Sequence, residues 1–234
     1  MRVALVHDWL VGMDEEEQCL EGLCALFPSA RLFTLFHKPG SVSETISRMD
    51  IQTSLLQRFP WIMAYYPYYV PLFPTTIEQF DLSGYDLVIS SSQCVAKGVL
   101  TQPDTCHICY CHRPMRAIWG GYHREVQHVR NPITRVLLPV IAQYLRIWDV
   151  VSAQRVDHFI ASSEPVAAQV RKYYRREAVI ISPSDDRSIF QARLQQHIQD
   201  TVAEFQARRQ EEGRNRLHAN RRAPILSPTV DPRA

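Results

Sequence analysis

Glycine is scarce in this chain, with eight among 234 residues. None of them forms a GxGxxG or Walker-type loop, so the usual glycine cradle for a dinucleotide or nucleotide phosphate is excluded. Lysine is scarcer still: three residues (38, 97 and 172) against 23 arginines, a bias we attribute to genome composition. Excess charge of one sign is missing too. The net charge is +2, which leaves no global basic field for nucleic acid. No apolar run reaches the ~18 residues of a membrane-spanning helix. The opening MRVALVHDWL holds one arginine and a short apolar run that His7 and Asp8 interrupt. With no small-residue cleavage site after it, it reads as a first buried strand rather than an export signal. Internal repeats are absent. The six cysteines, at 19, 24, 94, 106, 109 and 111, follow no disulfide framework. Without an export signal they are expected as free thiols in a reducing cytoplasm.

What is present is an ordinary globular composition, 46% hydrophobic and 21% charged. The length suits one large domain, or one domain with an appendage. A core of roughly 180 residues can close without staples. Charge is distributed unevenly: residues 191–234 carry eight arginines and five acids, or +3, which leaves −1 for residues 1–190.

Strand and helix signals alternate along the first 190 residues. Strands are expected at Arg2–His7, Arg31–Phe36, Leu87–Ile89, Cys106–Cys111, Asp157–Ala161 and Ala178–Ile181, with a weak one at Asp50–Thr53. Helices are expected at Asp14–Phe27, Pro132–Val156 and Pro165–Tyr174. The acids at the first helix's start suit its dipole, and Pro28 ends it. In Pro132–Val156 the apolar stripe is Val136, Leu137, Val140, Ile141, Tyr144, Leu145, Trp148 and Val151. Trp61–Phe80 holds seven aromatics broken by Pro67, Pro71 and Pro74. Its rings either pack on the sheet or form a surface patch. The alternation predicts an α/β fold: a Rossmann-like parallel sheet with helices on both faces. Residues 1–189 form that domain. Phe190–Arg209 extends it as an amphipathic helix through Phe190, Leu194, Ile198, Val202 and Phe205. Residues 210–234 are polar and Pro-containing and are expected to be disordered.

The chemistry concentrates between Tyr85 and Trp119. Leu87–Ile89 runs into Ser90, Ser91 and Ser92, read as a polar turn. The next strand ends in His112-Arg113-Pro114-Met115-Arg116. A histidine just past a strand's carboxyl end, beside two arginines and a proline able to open a helix, lies where open α/β sheets place their sites. The run Cys106-His107-x-Cys109-x-Cys111-His112 invites a zinc reading. Strand alternation argues against it, because Cys109 and Cys111 fall with His107 on one face, and Cys106, Tyr110 and His112 on the other. No second ligand pair at finger spacing exists. Buried thiols are the expected outcome.

Several stretches, taken in order, resemble the amino-terminal domain of bacterial family 4 glycosyltransferases. They are VALVHDWL near the start, LFTLFHKPGSV at 32–42, FDLSGYDLVISSS at 80–92, AKGV at 96–99, CYCHRPMR at 109–116, the Trp-Asp pair at 148–149, RVDHFIASS at 155–163 and the region around 173–180. The resemblance covers residues 1 to about 190. It implies one half of a GT-B fold, in which two Rossmann-like domains face each other across a cleft. The amino-terminal half takes the acceptor and the other half takes the sugar nucleotide. Neither metal nor another cofactor is implied.

His112 matches the family's cleft histidine, which meets the donor sugar; the alternative is a histidine that only fixes a turn. Arg113 and Arg116 either meet a phosphate of a lipid-linked acceptor or bond local carbonyls. Ser90, Ser91 and Ser92 with Lys97 either rim the cleft or saturate a turn's own backbone. Asp8 and Trp9 either line the cleft floor or cap the first strand.

Two departures weaken the resemblance as a guide to activity. The family's first loop carries a Gly-Gly pair, often GMRGGE, where backbone approaches a ligand at a helix amino terminus. Here the loop is Gly12-Met13-Asp14-Glu15-Glu16-Glu17, and its carboxylates repel phosphate. The family's linker also leads into a full second domain. Here VIISPSDDRSIF is followed by about 45 residues, too few for a donor domain of well over 100. The expectation is a glycosyltransferase-like half serving cell-envelope polysaccharide synthesis, inactive alone. The alternatives are one subunit of a split enzyme, with a second chain carrying the donor domain, and a non-catalytic binding or scaffold module. Expected partners are that second chain, a saccharide or lipid-linked acceptor, and a peripheral contact at the inner membrane face, with no nucleic acid.

Overall fold

The structure is a computed structural model that describes residues 1–122, 126–127, 132–183 and 186–222. Seven strands make one parallel sheet: β1 (Val3–His7), β2 (Arg31–Thr34), β3 (Asp50–Thr53), β4 (Leu87–Ser92), β5 (Cys106–Cys111), β6 (His158–Ala161) and β7 (Ala178–Ile180). The order is β3-β2-β1-β4-β5-β6-β7. This is the doubly wound, Rossmann-like arrangement, with the direction of winding reversing beside β1. The helices are α1 (Glu15–Leu26), α2 (Glu44–Ser47), α3 (Ile62–Tyr69), α4 (Phe73–Ile77), α5 (Pro132–Ala153), α6 (Glu164–Tyr174) and α7 (Arg187–Arg222).

Every residue of β4 and β5 is buried. Central parallel strands are covered on both faces, so they read as continuous apolar runs. One face packs Leu5, Leu87, Ile89, Cys106, Ile108 and Tyr110 against α1, α2 and α7. The other packs Ala4, Val6, Phe33 and Val88 against α3, α4 and α5. Cys109 and Cys111 join a third cluster with Phe159, Val170 and Tyr174. The expected two-sided sheet is therefore present.

Four local expectations are revised. Ser90, Ser91 and Ser92 are not a turn: they continue β4, registered opposite Cys109, Tyr110 and Cys111. The neighbouring strands supply backbone partners to the end, and the buried hydroxyls find imidazoles and backbone, so the run stays extended. No helix opens at Pro114; residues 114–121 are bends and turns. In α5 the buried side is Ala142, Leu145, Asp149, Ser152 and Ala153. Val136, Leu137, Val140, Tyr144, Ile147 and Val151 are instead exposed. Arg135–Ala153 is long and apolar enough by composition to cross a membrane, yet its Asp149 and Ser152 are sealed against the domain. Finally, α7 runs to Arg222, past the expected end at Arg209. The expected disordered segment thus overlaps helix at 210–222, and residues 223–234 lie outside the described residues.

The start of α7 is fixed by packing. Phe190, Leu194, Ile198 and Val202 are buried in the cluster that holds Leu20 and Leu23 of α1. Gly22 makes room for this contact, since a Cβ there would stand 3.2 Å from the Phe190 ring. Gly98 is more constrained: a Cβ would fall 2.3 Å from Trp148, inside any allowed contact.

Candidate functional site

The winding reversal opens a crevice at the carboxyl ends of the strands, the place where open α/β sheets hold ligands. His7 ends β1, Ser91 and Ser92 end β4, and Ser162 follows β6. His112 leaves β5 with its backbone N–H still bonded to the Ser92 carbonyl at 2.9 Å.

Four side chains form a continuous hydrogen-bonded chain there. Glu17 Oε1 lies 3.4 Å from His7 Nε2. His7 Nδ1 lies 3.1 Å from Ser91 Oγ, and Ser91 Oγ lies 2.8 Å from His112 Nε2. His7, Glu17 and Ser91 are sealed from solvent, while His112 retains 9% exposure. Burial, and then the neighbouring His7 and Arg113, push the His112 imidazole well below the ordinary histidine range, so it is neutral. Burial pulls the Glu17 carboxyl upward, but the hydrogen bond and charge of His7 outweigh it and hold the pKa below the ordinary value. Glu17 also closes the amino terminus of α1, where its Oε2 accepts the Asp14 N–H at 3.0 Å.

A cavity of about 750 Å³ opens beyond His112. Its lining includes Glu15, Glu16 and Glu21 from α1, Arg113, Ser162, Ser163, Ser182 and Arg187. Arg113 pairs with Glu16 and also donates to Gln93 Oε1 at 3.3 Å. Arg187 pairs with Glu21 at 2.9 Å. Two arginines thus face three glutamates, two of them already paired. The acid-rich loop does not simply repel ligand. It neutralises the arginine that the sequence offered to phosphate.

The other sequence-predicted residues separate from this cavity. Asp8 is a structural cap: its carboxylate accepts the backbone N–H groups of Gln93, Cys94, Val95 and Ala96 at 2.6–2.9 Å. Trp9 packs on Phe36, Tyr66 and Phe73, with ring centroids 5.2–6.1 Å apart. Ser92 Oγ accepts the Lys97 N–H at 3.3 Å, and Ser90 Oγ pairs with His107 Nε2 at 2.9 Å. Lys97 is not a rim residue. Its ammonium is buried against Asp149, which also accepts from Trp119 Nε1 at 2.8 Å and the Tyr174 hydroxyl at 2.9 Å. Burial alone would lower the Lys97 pKa, but the Asp149 charge and hydrogen bond hold it above the ordinary lysine value. Arg116 is exposed and does not line the cavity.

The cysteine-histidine run divides as strand alternation predicts. Cys106 and Tyr110 face one cluster and Cys109 and Cys111 another. Burial pushes the Cys106 and Cys109 thiols up to about 12, which keeps them protonated. His107 is also fully enclosed, and burial, followed by the Arg155 and Lys97 charges, lowers its pKa to about 3.

Sequence alone assigned no role to His7, Asp149, Ser162, Ser163 or Ser182, and read Glu17 only as one of the acids at the start of the first helix. Only the Asp14-x-x-Glu17 spacing was a visible cue for Glu17, and it signals a helix cap rather than a partner for His7. Comparison with protein-family models finds no match, and comparison with curated proteins finds none either.

Proposed function

We propose that this domain binds a carbohydrate acceptor in the cavity at the strand ends, as the acceptor-side half of a family 4-type glycosyltransferase. The supporting observation is the cavity's chemistry. Its volume of about 750 Å³ falls in the range of small-molecule sites. Hydroxyls, a neutral histidine, two arginine–glutamate pairs and the carboxylate of Glu15 line it, a set suited to an uncharged polyol rather than to free phosphate. Carboxylates accept hydrogen bonds from sugar hydroxyls, while the paired arginines donate. Transfer would require a donor-binding domain facing this one, supplied in the split-enzyme version by a partner chain. This domain alone is expected to turn over no sugar nucleotide. In the non-catalytic alternative, the same cavity holds a saccharide without chemistry.

Titration of the isotopically labelled chain with neutral oligosaccharides and with nucleotide sugars tests this. Resonance shifts at His112, Arg113, Ser162 and Ser163 are expected with oligosaccharide. Shifts produced only by nucleotide sugars, or saccharide shifts confined to other surfaces, would overturn the reading. So would turnover by the isolated chain that disappears in His112→Ala. Recovery of transfer on adding a donor-domain chain separates the split enzyme from a binding module.

A peripheral membrane contact belongs to the same proposal. Trp61, Tyr65 and Tyr68 are 77%, 54% and 78% exposed. Tyr65 and Tyr68 stand on α3 and Trp61 immediately precedes it; the inner side of α3 packs in the same cluster as α5, which carries the exposed aliphatic stripe. Arg58 is the only charged residue from 54 to 77, and Arg135 and Arg146 are the only ones from 135 to 148. Exposed amphipathic aromatics on the one element and exposed aliphatics on the other, with no acids in these stretches, suit a lipid headgroup region.

A further inference from the structure

The charges around the cavity do not balance. Its wall carries Glu15, Glu16 and Glu21 against Arg113 and Arg187, a surplus of one carboxylate. Arg113 is spent on Glu16, and Arg187 on Glu21. Glu15 is exposed, and its side chain has no ion pair or hydrogen bond among the described residues. Three helices begin at this wall, but their starts do not restore positive charge, because each already carries an acid. Glu17 accepts the Asp14 N–H at α1, Asp186 accepts the Ser188 N–H at 2.9 Å at α7, and Glu164 opens α6. Glu16 is the enclosed member of the wall, only 7% exposed, with its Oε1 held by Arg113. Its Oε2 has no partner among the described residues, and Glu16 lines the cavity. A carboxylate oxygen so enclosed is costly to leave without a donor, and a ligand N–H or O–H relieves that cost.

We propose that the sugar taken by this cavity carries a free ammonium group, held by the Glu15 carboxylate and the spare Oε2 of Glu16. An ammonium donates up to three charge-assisted hydrogen bonds and supplies the one positive charge that the wall lacks. An acetylated nitrogen offers one N–H and no charge. A phosphate or uronate ligand adds to the surplus of negative charge. The amine preference rests on the carbohydrate reading above and narrows it. Ser162, Ser163 and the His112 ring are placed to meet the hydroxyls, and the two consecutive acids select the nitrogen.

Titration of the isotopically labelled full chain at about pH 6, where amines and ordinary carboxylates are both charged, decides this. The probes are a glucosamine trimer, the N-acetylglucosamine trimer of the same length, and spermidine, which has three amines and no hydroxyls. The glucosamine trimer should bind about five-fold tighter than its acetylated counterpart, with shifts at Glu15, Glu16 and His112, and added salt should shrink that ratio. Glu15→Gln, which removes the charge and keeps the shape, should bring the ratio to about one. Glu15→Asp, which keeps the charge, should preserve the preference. Equal affinities in wild type, tighter binding of the acetylated trimer, or an unchanged ratio in Glu15→Gln overturns the proposal and leaves the carbohydrate reading standing. Spermidine binding in the cavity as tightly as the glucosamine trimer would refute the carbohydrate reading while supporting the ammonium assignment. Absence of cavity shifts with all three probes overturns both.

Discussion

Lys97 and Asp149 form an ion pair closed off from water, 52 residues apart in sequence and joining the turn after β4 to α5. The Lys97 ammonium also lies 5.4 Å from the Trp148 ring and 5.2 Å from the Tyr174 ring. Lys97→Met strands a buried carboxylate whose Trp119 and Tyr174 partners cannot neutralise it. Removing one member of such a pair costs about 3–5 kcal/mol. Urea denaturation should register a loss of that size, and a loss below about 1 kcal/mol would mean the pair is hydrated.

His107 makes the fold sensitive to mild acid. Its pKa of about 3 in the folded state lies below the ordinary 6.5, so the unfolded chain binds the extra proton between those values. Stability is then fully present above pH 6.5 and declines as pH falls toward 3, by about 1.4 kcal/mol per pH unit for one such group. His112 adds in the same direction. His107→Gln should remove about one proton's worth of slope between pH 6 and 5, above the range where Glu17 titrates. An unchanged slope in denaturation series across those pH values would show that His107 charges in the folded state.

The first turns of α7 should matter to stability and its end should not. Leu194 is fully buried against α1, so Leu194→Ala should cost about 2–5 kcal/mol. Truncation before Glu211 removes residues with little apolar surface and should shift the melting temperature by under ~2 °C. A drop of several degrees on truncation would reveal packing along the distal helix.

The aromatic segment divides between core and surface. Phe73 and Phe80 are buried, while Trp61, Tyr65 and Tyr68 are exposed. If the outer rings meet lipid, the chain should sediment with both neutral and anionic vesicles, and moderate salt should not release it, because apolar burial rather than charge carries the contact. Trp61→Ala combined with Tyr65→Ala should reduce the bound fraction several-fold. Wild type remaining in the supernatant, or binding unaffected by the double substitution, rejects the membrane contact. Concentration-dependent dimerisation would assign the same surface to a second copy.

Local pattern was enough to announce the layers of this protein. The apolar runs that became β1, β4 and β5, the stripe on α1, and the alternation of strand with helix are properties of neighbours in sequence, and they predict a two-sided parallel sheet. The bounds of β3 and β5 were legible in the same way. Which polar groups meet was not legible, because that depends on strand order and register. Ser91 touches His7 only because β1 lies beside β4, and His112 only because β5 lies on the other side. Arg113 has its charge offset by Glu16 across 97 residues, and Lys97 is drawn inside by an aspartate on α5. The exposed stripe of α5 has the same origin. Apolar periodicity shows that a helix has a distinctive face, but the acceptor needs of Lys97, Trp119 and Tyr174 turned Asp149 inward and left the aliphatic side out. Burial energetics made the sheet predictable. The cost of an unpaired buried polar group, resolved only in three dimensions, decided the site.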